Sequence, residues 1–247
     1  MDKPLLPPPL DLSSKALFLD YDGTLVEIAP TPAEAVADPQ LLALLAELRK
    51  GVGGALAIVT GRPVADIDGF LAPLRLPMAA LHGLAVRGHD GSVMEPAGAA
   101  AAIEPVRNAV ALFAGKHPGT RMEDKGLSIA LHYRGAPAAG TAAEELAMRL
   151  AEASEGALRV QRGKMVVELL SAGTDKGTAI AALMRGAPFR ARRPVFVGDD
   201  VTDEAGFVAV NTLDGVSIRV GQGKTAARHQ VPDVTSLRAW LAGAVAS

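Results

Sequence analysis

The sequence contains no cysteine among its 247 residues. This absence excludes disulfides and thiolate metal sites, so a metal would need carboxylate or histidine ligands. No stretch is long and apolar enough to predict a membrane span, and the Pro-rich start MDKPLLPPPL lacks the charged and apolar regions of a signal peptide. We therefore expect a soluble cytoplasmic protein with no membrane partner.

The sequence also lacks an excess of either charge, because 25 basic residues balance 27 acidic ones. Binding to nucleic acid normally requires a basic surface, so we expect no nucleic-acid partner and expect any bound anion to be recognised locally. Hydrophobic residues make up 49% of the chain, which is typical of a globular protein. The length of 247 residues suits one large domain or two modest ones. A monomer is one assembly compatible with this composition.

Short apolar runs alternate with longer helical patterns at both ends of the chain. The runs are nearly continuous, as in parallel strands that are buried on both faces. Strands are predicted at residues 16–20, 55–60, 78–83, 194–199 and 215–220. Helices are predicted at residues 38–50, 174–184 and 236–245, and after Thr202. The pattern indicates an α/β sheet with helices on both faces.

The middle of the chain has a different, α+β pattern. A hairpin is predicted at residues 84–94, helices at 97–116 and 141–153, and strands at 127–133, 158–160 and 165–170. This region therefore reads as an insertion into the α/β sheet.

Acidic and polar residues follow three of the predicted parallel strands. Asp20 and Asp22 follow the first, Thr60 the second, and Asp199 ends the strand at 194–199, while Lys176 lies in the first turn of a helix. The carboxyl ends of neighbouring parallel strands lie at one edge of a sheet. We therefore expect these side chains to share one crevice.

Crowded carboxylates need a positive charge, because two like charges about 4 Å apart cost roughly 4 kcal/mol at an effective dielectric constant of 20. Oxygen ligands with room for water and phosphate favour Mg²⁺. With Lys176, the cation would form an anion site for phosphoryl chemistry. One aspartate of the pair could attack phosphorus, while the other protonates the leaving oxygen and then activates water. Thr60 and Lys176 would hold the phosphate oxygens.

Three features have less specific readings. The segment VGQGKTAAR resembles a phosphate-binding P-loop, but Ile218 stands where the motif needs glycine, so we predict a surface loop. Residues Thr202 or Asp203 of GDDVTDE could simply cap a helix. For His82, a structural role is as compatible with the sequence as a role near substrate.

Several of these residues together resemble a known superfamily. Asp20-Tyr21-Asp22-Gly23-Thr24, Thr60, Lys176 and Gly198-Asp199-Asp200 are similar, in order and placement, to the four motifs of the haloacid dehalogenase phosphatases. More narrowly, TGRP, LHG, EDKGLSIALHYR, GKMVVEL, DKG and GDDVTDE resemble the trehalose-6-phosphate phosphatase family. The resemblance spans nearly the whole chain.

The resemblance implies an α/β fold, with a Rossmann-like parallel-sheet core at residues 1–96 and 172–247 and an inserted α+β cap at 97–171. It implies that Asp20 is the nucleophile and a Mg²⁺ ligand, and that Asp22 is the acid/base and binds the metal through its main-chain carbonyl. Asp199 would be the third protein ligand. Asp200 and Asp203 would support these metal ligands. Asp200 is counted with the catalytic residues.

The same resemblance implies trehalose 6-phosphate as the substrate. The implied substrate-binding residues are Arg62, Glu123, Lys125, Arg134, Lys164 and Glu168. One departure from the family pattern is at Leu170 and Ser171, where a basic residue and a proline are expected.

Two other functions stay open at this point. The first is a related capped phosphatase that acts on sucrose phosphate or mannosylphosphoglycerate. The second is a non-catalytic regulatory module that binds a sugar phosphate.

Overall fold

The computed structural model of the protein describes residues 5–29, 31 and 34–246. The first four residues of the Pro-rich start therefore lie outside the described residues. The chain divides into two compact units, the first formed by Met1–Met94 with Asp175–Ser247 and the second by Glu95–Thr174. The sequence placed these boundaries at residues 97 and 171. No helix in the described ranges combines the length and the hydropathy needed to cross a bilayer.

The elements are numbered in chain order. The strands are β1 (Lys15–Leu19), β2 (Leu56–Val59), β3 (Met78–Ala80), β4 (Ala85–Arg87), β5 (Val93–Met94), β6 (Arg121–Asp124), β7 (Ser128–His132), β8 (Leu158–Gly163), β9 (Val166–Ser171), β10 (Arg193–Gly198), β11 (Val216–Val220) and β12 (His229–Val231). The helices are α1 (Pro39–Gly51), α2 (Val64–Phe70), α3 (Ala99–Lys116), α4 (Gly140–Ala153), α5 (Lys176–Met184), α6 (Glu204–Thr212) and α7 (Val234–Val245).

In the described part of the first unit, eight strands form one sheet in the order β12-β11-β10-β1-β2-β3-β4-β5. The strands from β12 to β3 are parallel, while β4 and β5 are antiparallel to their neighbours. From β1 the chain continues to β2 on one side and later returns to β10 on the other side. The strand order therefore reverses between β1 and β10, which is where ligands bind in open α/β sheets.

The central strands are buried because their side chains are apolar on both faces. Phe18 of β1 pairs with Phe196 of β10 and Ala57 of β2, and all three residues are fully buried. Helix α1 begins after Asp38, whose carboxylate accepts a hydrogen bond from the Leu41 amide at 2.8 Å. Leu45, one turn further on, is also buried. The predicted strands and this crossover helix are confirmed, apart from their ends.

Some predicted boundaries were wrong. The strand predicted at 78–83 ends at Ala80, because Leu81 and His82 adopt left-handed conformations with φ of 50° and 56°. The His82 ring packs against Gly61, which leaves no room for a side chain there. The helix predicted from Thr174 begins at Lys176, and the last helix begins at Val234. The segment from Gly221 to Arg228 is a loop between β11 and β12, as predicted.

The second unit, whose residues 95–174 are all described, has an antiparallel sheet in the order β6-β7-β9-β8. Helices α3 and α4 pack on one face of this sheet through a shared apolar cluster. That cluster includes Val110 of α3, Ala147 of α4, Leu131 of β7 and Leu169 of β9. The second unit therefore has a hydrophobic core of its own.

Arg87 fixes α2 against the antiparallel edge of the first sheet. Its guanidinium donates to both carboxylate oxygens of Asp68 at 2.7 Å and to the Leu76 carbonyl at 2.8 Å. The residue is almost fully buried. Because a buried guanidinium must have its donors satisfied, Arg87 links a helix, a loop and a strand.

We predict that Arg87→Met lowers the free energy of unfolding by about 1–3 kcal/mol, because a buried carbonyl and a carboxylate lose a charged donor. The Arg87 hydrogen bond holds the pKa of Asp68 below its ordinary value. The difference in the free energy of unfolding between wild type and variant should therefore be largest at pH values above the unfolded pKa of Asp68. It should shrink as the pH falls through the lowered pKa of Asp68 in the folded protein. Urea unfolding across this pH range measures it.

The matched control is Arg75→Met. Arg75 contacts the same carboxylate at 3.2 Å, but its side chain is 78% exposed, so we expect a change below about 0.5 kcal/mol. Equal losses in both variants would contradict the structural role of Arg87.

Candidate active site

Two aspartates end neighbouring strands where the strand order reverses. Asp20 directly follows β1, and its amide donates to the Val197 carbonyl of β10 at 3.0 Å. Asp199 directly follows β10. The Thr24 hydroxyl lies between them, 3.2 Å from Asp20 Oδ2 and 3.0 Å from Asp199 Oδ1. The structure thus brings together two of the predicted metal ligands and adds Thr24, a residue of the first motif for which the sequence predicted no role.

Lys176 provides the positive charge of this cluster. Its Nζ lies 2.9 Å from Asp20 Oδ1 and 2.6 Å from Asp203 Oδ1, and all three side chains are at most 7% exposed. Burial alone would lower the pKa of Lys176, but the two carboxylates raise it. The side chain therefore stays an ammonium at neutral pH.

The chain places Lys176 through a helix cap and a close helix contact. The Asp175 carboxylate accepts from the Thr178 amide at 2.7 Å and so begins α5 at Lys176. Gly177 faces the Ala205 carbonyl of α6 so closely that any side chain would collide with it. Because α5 and α6 approach this closely, the start of α5 reaches Asp203, the residue before α6.

Asp203 organises the loop after β10. Its Oδ2 accepts hydrogen bonds from the amides of Asp199 and Asp200 at 3.0 and 2.9 Å. Asp203 directly precedes α6, but its side chain makes no capping hydrogen bond to that helix. It binds the two preceding loop amides instead and pairs with Lys176. Asp200 contributes its amide to this network, while the residue itself is exposed. A catalytic role of Asp200 stays a prediction.

The acidic cluster fits a divalent cation. Asp20, Asp199 and Asp203 each offer a carboxylate oxygen, and these oxygens lie within 4.8 Å of one another. Burial, followed by the charge of Asp203, raises the pKa of Asp199 to about 6. Burial also raises the pKa of Asp20, and Lys176 opposes that rise. A further positive charge would favour both carboxylates in their ionised form, as hard-cation chemistry requires.

Asp22 points to a different partner from the other aspartates. Arg62 Nε and Nη2 each lie 2.6 Å from a separate oxygen of the Asp22 carboxylate. The Arg62 amide donates to Thr60 Oγ1 at 3.1 Å, and Thr60 is almost fully buried. The ends of β1 and β2 therefore bring Asp22, Thr60 and Arg62 together.

The second unit gathers three of its predicted residues on the sheet face opposite α3 and α4. Glu168 Oε1 accepts from Ser128 Oγ at 2.6 Å and from Lys125 Nζ at 3.1 Å. Glu123 and Glu168 both pair with Ala130, so they lie in one row across the sheet. His132 Nε2 lies 2.7 Å from Glu123 Oε2, and this contact lowers the pKa of Glu123.

Arg134 and Lys164 lie outside this row. Both residues are exposed, and Arg134 Nη2 lies 3.4 Å from the Lys164 carbonyl. The sequence did not predict the contacts of Ser128 and His132. In SIALH the polar residues stand only at the two ends of an apolar run, and this pattern does not identify their partners.

Residues 18–235 match the protein family described as Trehalose-phosphatase. The chain belongs to the trehalose-phosphatase family. A trehalose-6-phosphate phosphatase of Escherichia coli (strain K12) is 41% identical over 245 residues, which cover 98% of this chain and 90% of the relative. The predicted family is thus confirmed, and as a member of the trehalose-phosphatase family the protein is a phosphoric monoester hydrolase.

Solved structures agree with this membership. The structure of a trehalose-6-phosphate phosphatase related protein is 31% identical, with a TM-score of 0.78 over 92% of this chain and 95% of that one. A phosphatase of the haloalkanoate (HAD) enzyme superfamily from Bacteroides thetaiotaomicron is 19% identical, with a TM-score of 0.63 over 96% of each chain. The latter likeness shows the fold alone. The fold class predicted for this chain, an α/β core of the haloacid dehalogenase type, is confirmed.

We predict that Lys176→Met lowers the free energy of unfolding in metal-free buffer by about 2–4 kcal/mol, because it leaves Asp20 and Asp203 buried without their cation. Adding Asp203→Asn to this variant should recover part of the loss, since one of the two unpaired charges is then removed. Chemical unfolding followed by circular dichroism measures both.

Lys50→Met is the control, because Lys50 is an exposed residue in the last turn of α1, and we expect a change within about 0.5 kcal/mol. A Lys176→Met variant as stable as wild type would show that the cluster does not need the ammonium for folding.

Proposed function

We propose that the protein hydrolyses trehalose 6-phosphate to trehalose and phosphate through an aspartyl-phosphate on Asp20, with Mg²⁺ as cofactor. The observation that carries the proposal is the Asp20 carboxylate, buried where the strand order reverses and held there by Lys176 and Thr24. Membership of the trehalose-phosphatase family supports the choice of sugar.

In the first step, an oxygen of Asp20 attacks phosphorus and forms the new P–O bond. The bond between phosphorus and the sugar oxygen breaks, and that oxygen takes a proton from Asp22 and leaves as trehalose. The contacts of Lys176 and Thr24 go to different oxygens of Asp20, so they orient its carboxylate. A nucleophile fixed in this way has little orientational freedom left to lose in the transition state.

In the second step, water attacks the same phosphorus and gives its proton to Asp22, now a carboxylate. The P–O bond to Asp20 breaks, phosphate leaves, and Asp20 and Asp22 return to their starting forms. One carboxyl group therefore acts first as acid and then as base.

The phosphate oxygens need donors during both steps. An ammonium has three N–H groups, and the bonds of Lys176 to Asp20 and Asp203 use two of them. The third can bind a phosphate oxygen. Thr60 Oγ1 accepts from the Arg62 amide, so its own hydroxyl hydrogen is directed elsewhere and can bind a second oxygen. Both groups would stabilise charge that builds up at phosphorus.

The carboxylates of Asp20 and Asp199 and the main-chain carbonyl of Asp22 would hold Mg²⁺. The ion would supply positive charge next to the phosphoryl group and the nucleophile. Asp203 is committed to Lys176 and to two loop amides, which favours a supporting role. Asp200, whose amide binds Asp203 in the same loop, would act with the catalytic residues.

The second unit would bind the sugar. Glu123 and Glu168 can accept hydrogen bonds from hydroxyls, and Lys125 can donate one. Ser128 and His132 hold the two carboxylates in fixed positions, which lowers the entropy that sugar binding must remove. Arg134 and Lys164 would contact the sugar from the end of the same sheet.

We predict that Asp20→Asn lowers phosphate release from trehalose 6-phosphate by more than about 10⁴-fold, because loss of a covalent nucleophile leaves only binding and electrostatic effects. An acid quench of the wild-type reaction should yield a phosphoryl adduct on Asp20, found by mass spectrometry. Chelation by EDTA should stop the wild-type reaction, and added Mg²⁺ should restore it.

Asp214→Asn is the matched control, because Asp214 is an exposed aspartate of the first unit with a left-handed conformation that asparagine also accepts. Phosphate release by Asp20→Asn at the control's rate would refute covalent catalysis by Asp20. Equal kcat/KM for sucrose 6-phosphate and trehalose 6-phosphate would refute the proposed sugar.

We predict that Glu168→Gln lowers kcat/KM for trehalose 6-phosphate by about 10- to 100-fold, because hydroxyl donors lose a charged acceptor. The kcat/KM for p-nitrophenyl phosphate, which has no sugar hydroxyls, should change by less than about threefold. Steady-state kinetics with both esters measures the contrast.

Glu144→Gln serves as the control within the same unit. Glu144 lies on α4 and accepts from Arg162 at 2.8 Å, on the opposite side of the sheet from Glu168. A Glu168→Gln variant with equal losses on both esters would mean that Glu168 is structural.

A further inference from the structure

The Asp22 carboxylate is held at two points by one side chain. Arg62 Nε lies 2.6 Å from Oδ2 and Arg62 Nη2 lies 2.6 Å from Oδ1. This two-point contact fixes the plane of the carboxylate as well as its position, which a single hydrogen bond cannot do. The Asp22 side chain is 35% exposed, so packing around Asp22 alone leaves it room to rotate.

Arg62 is itself well fixed. Its side chain is only 13% exposed. The guanidinium carbon lies 5.0 Å from the centre of the Phe70 ring and 6.0 Å from that of Tyr21. These two rings stack on each other, and the Tyr21 hydroxyl donates to the Ala35 carbonyl at 2.7 Å. The stacked rings therefore contact the guanidinium and limit its movement.

We infer that Arg62 is a positioning residue for Asp22, and that it acts on the reaction through the orientation of that carboxylate. The inference rests on the proposed function, in which Asp22 moves the proton. It assigns to Arg62 a role within the protein that differs from the substrate contact implied by the family resemblance.

Proton transfer by Asp22 is compatible with its two-point contact to Arg62. Each carboxylate oxygen has two lone pairs, and the contact with Arg62 uses one on each oxygen. A lone pair therefore remains on each oxygen for the transferred proton. Proton transfer requires a heavy-atom distance of about 2.6–3.2 Å, so a carboxylate that rotates freely spends little time in a productive orientation.

The test depends on how much the leaving group needs a proton. The sugar alkoxide of trehalose 6-phosphate is a poor leaving group and needs one, whereas p-nitrophenolate leaves as a stable anion. For Arg62→Met we expect kcat for trehalose 6-phosphate to fall by about 10²-fold, the lower end of what a positioned acid or base contributes. We expect the KM for trehalose 6-phosphate to change by less than about threefold. The same limit should hold for the rate constant of the p-nitrophenol burst from p-nitrophenyl phosphate, which reports phosphoryl transfer to the enzyme.

The kcat of Arg62→Lys for trehalose 6-phosphate should lie between those of wild type and Arg62→Met. Lysine keeps the positive charge, but an ammonium cannot make the planar two-point contact. A large rise in KM with unchanged kcat would overturn the inference, because it would make Arg62 a substrate ligand. An equal fall in the burst rate constant and in kcat for trehalose 6-phosphate would also overturn it, because phosphoryl transfer itself would then depend on Arg62.

A double variant provides the sharpest comparison. If Arg62 acts through Asp22, then Arg62→Met should lower the residual rate of Asp22→Ala by less than about threefold, although it lowers the wild-type rate far more. Losses that multiply in the double variant would overturn the inference. Arg75→Met is the control for removal of a guanidinium, since Arg75 is exposed and pairs with Asp68.

Failure of the proposed substrate can be separated from failure of this inference. Glucose 6-phosphate also has an alkoxide leaving group, so it gives the same contrast with p-nitrophenyl phosphate. A wild-type protein that hydrolyses glucose 6-phosphate but not trehalose 6-phosphate would refute the proposed sugar, and the Arg62 variants would still be tested on glucose 6-phosphate. Thermal unfolding of each variant shows that the fold is retained.

Discussion

The Lys176 ammonium lies between the carboxylates of Asp20 and Asp203 in a region from which water is almost excluded. Removing three charges from water is costly, and their attraction offsets the cost only when the geometry is close. The end of β1, the start of α5 and the loop after β10 must therefore be in place together. The same contacts hold the Asp20 carboxylate where phosphoryl transfer would need it, so the fold of the first unit and the geometry of its site depend on each other.

The sequence predicted the central sheet well because its strands are apolar on both faces, as Phe18 and Phe196 illustrate. It did not predict α2, β6 or β12. Helix α2 has seven residues, of which only Ile67 is buried, so it has no periodic apolar stripe. Strand β6 reads Arg-Met-Glu-Asp and is at best half-buried. Strand β12 has three residues and depends on pairing with β11. In each case the neighbours, and not the local sequence, determine the structure.

For the site, the rule that strand ends share one edge predicted which residues meet, but it did not predict which atoms bond. Thr24 and Asp199 are 175 residues apart in the chain, and their contact follows from the pairing of β1 with β10. The pairing of Asp22 with Arg62 depends on side-chain conformations and on the stacked rings of Tyr21 and Phe70. No spacing in the sequence encodes such choices, which explains why roles taken from a family resemblance need the geometry beside them.

The sheet of the second unit uses alternate residues of one strand for two purposes. Val167 and Leu169 of β9 pack into the hydrophobic core with α3 and α4, while Glu168 between them contacts Lys125 and Ser128 on the other face. A mutation at position 168 can therefore alter polar chemistry without passing through the packed core. Under the proposed sugar-binding role of this face, such a division would let a lineage change its sugar contacts without altering the hydrophobic core of the unit. The antiparallel pleat would then make substrate preference an evolvable trait that is largely separate from folding.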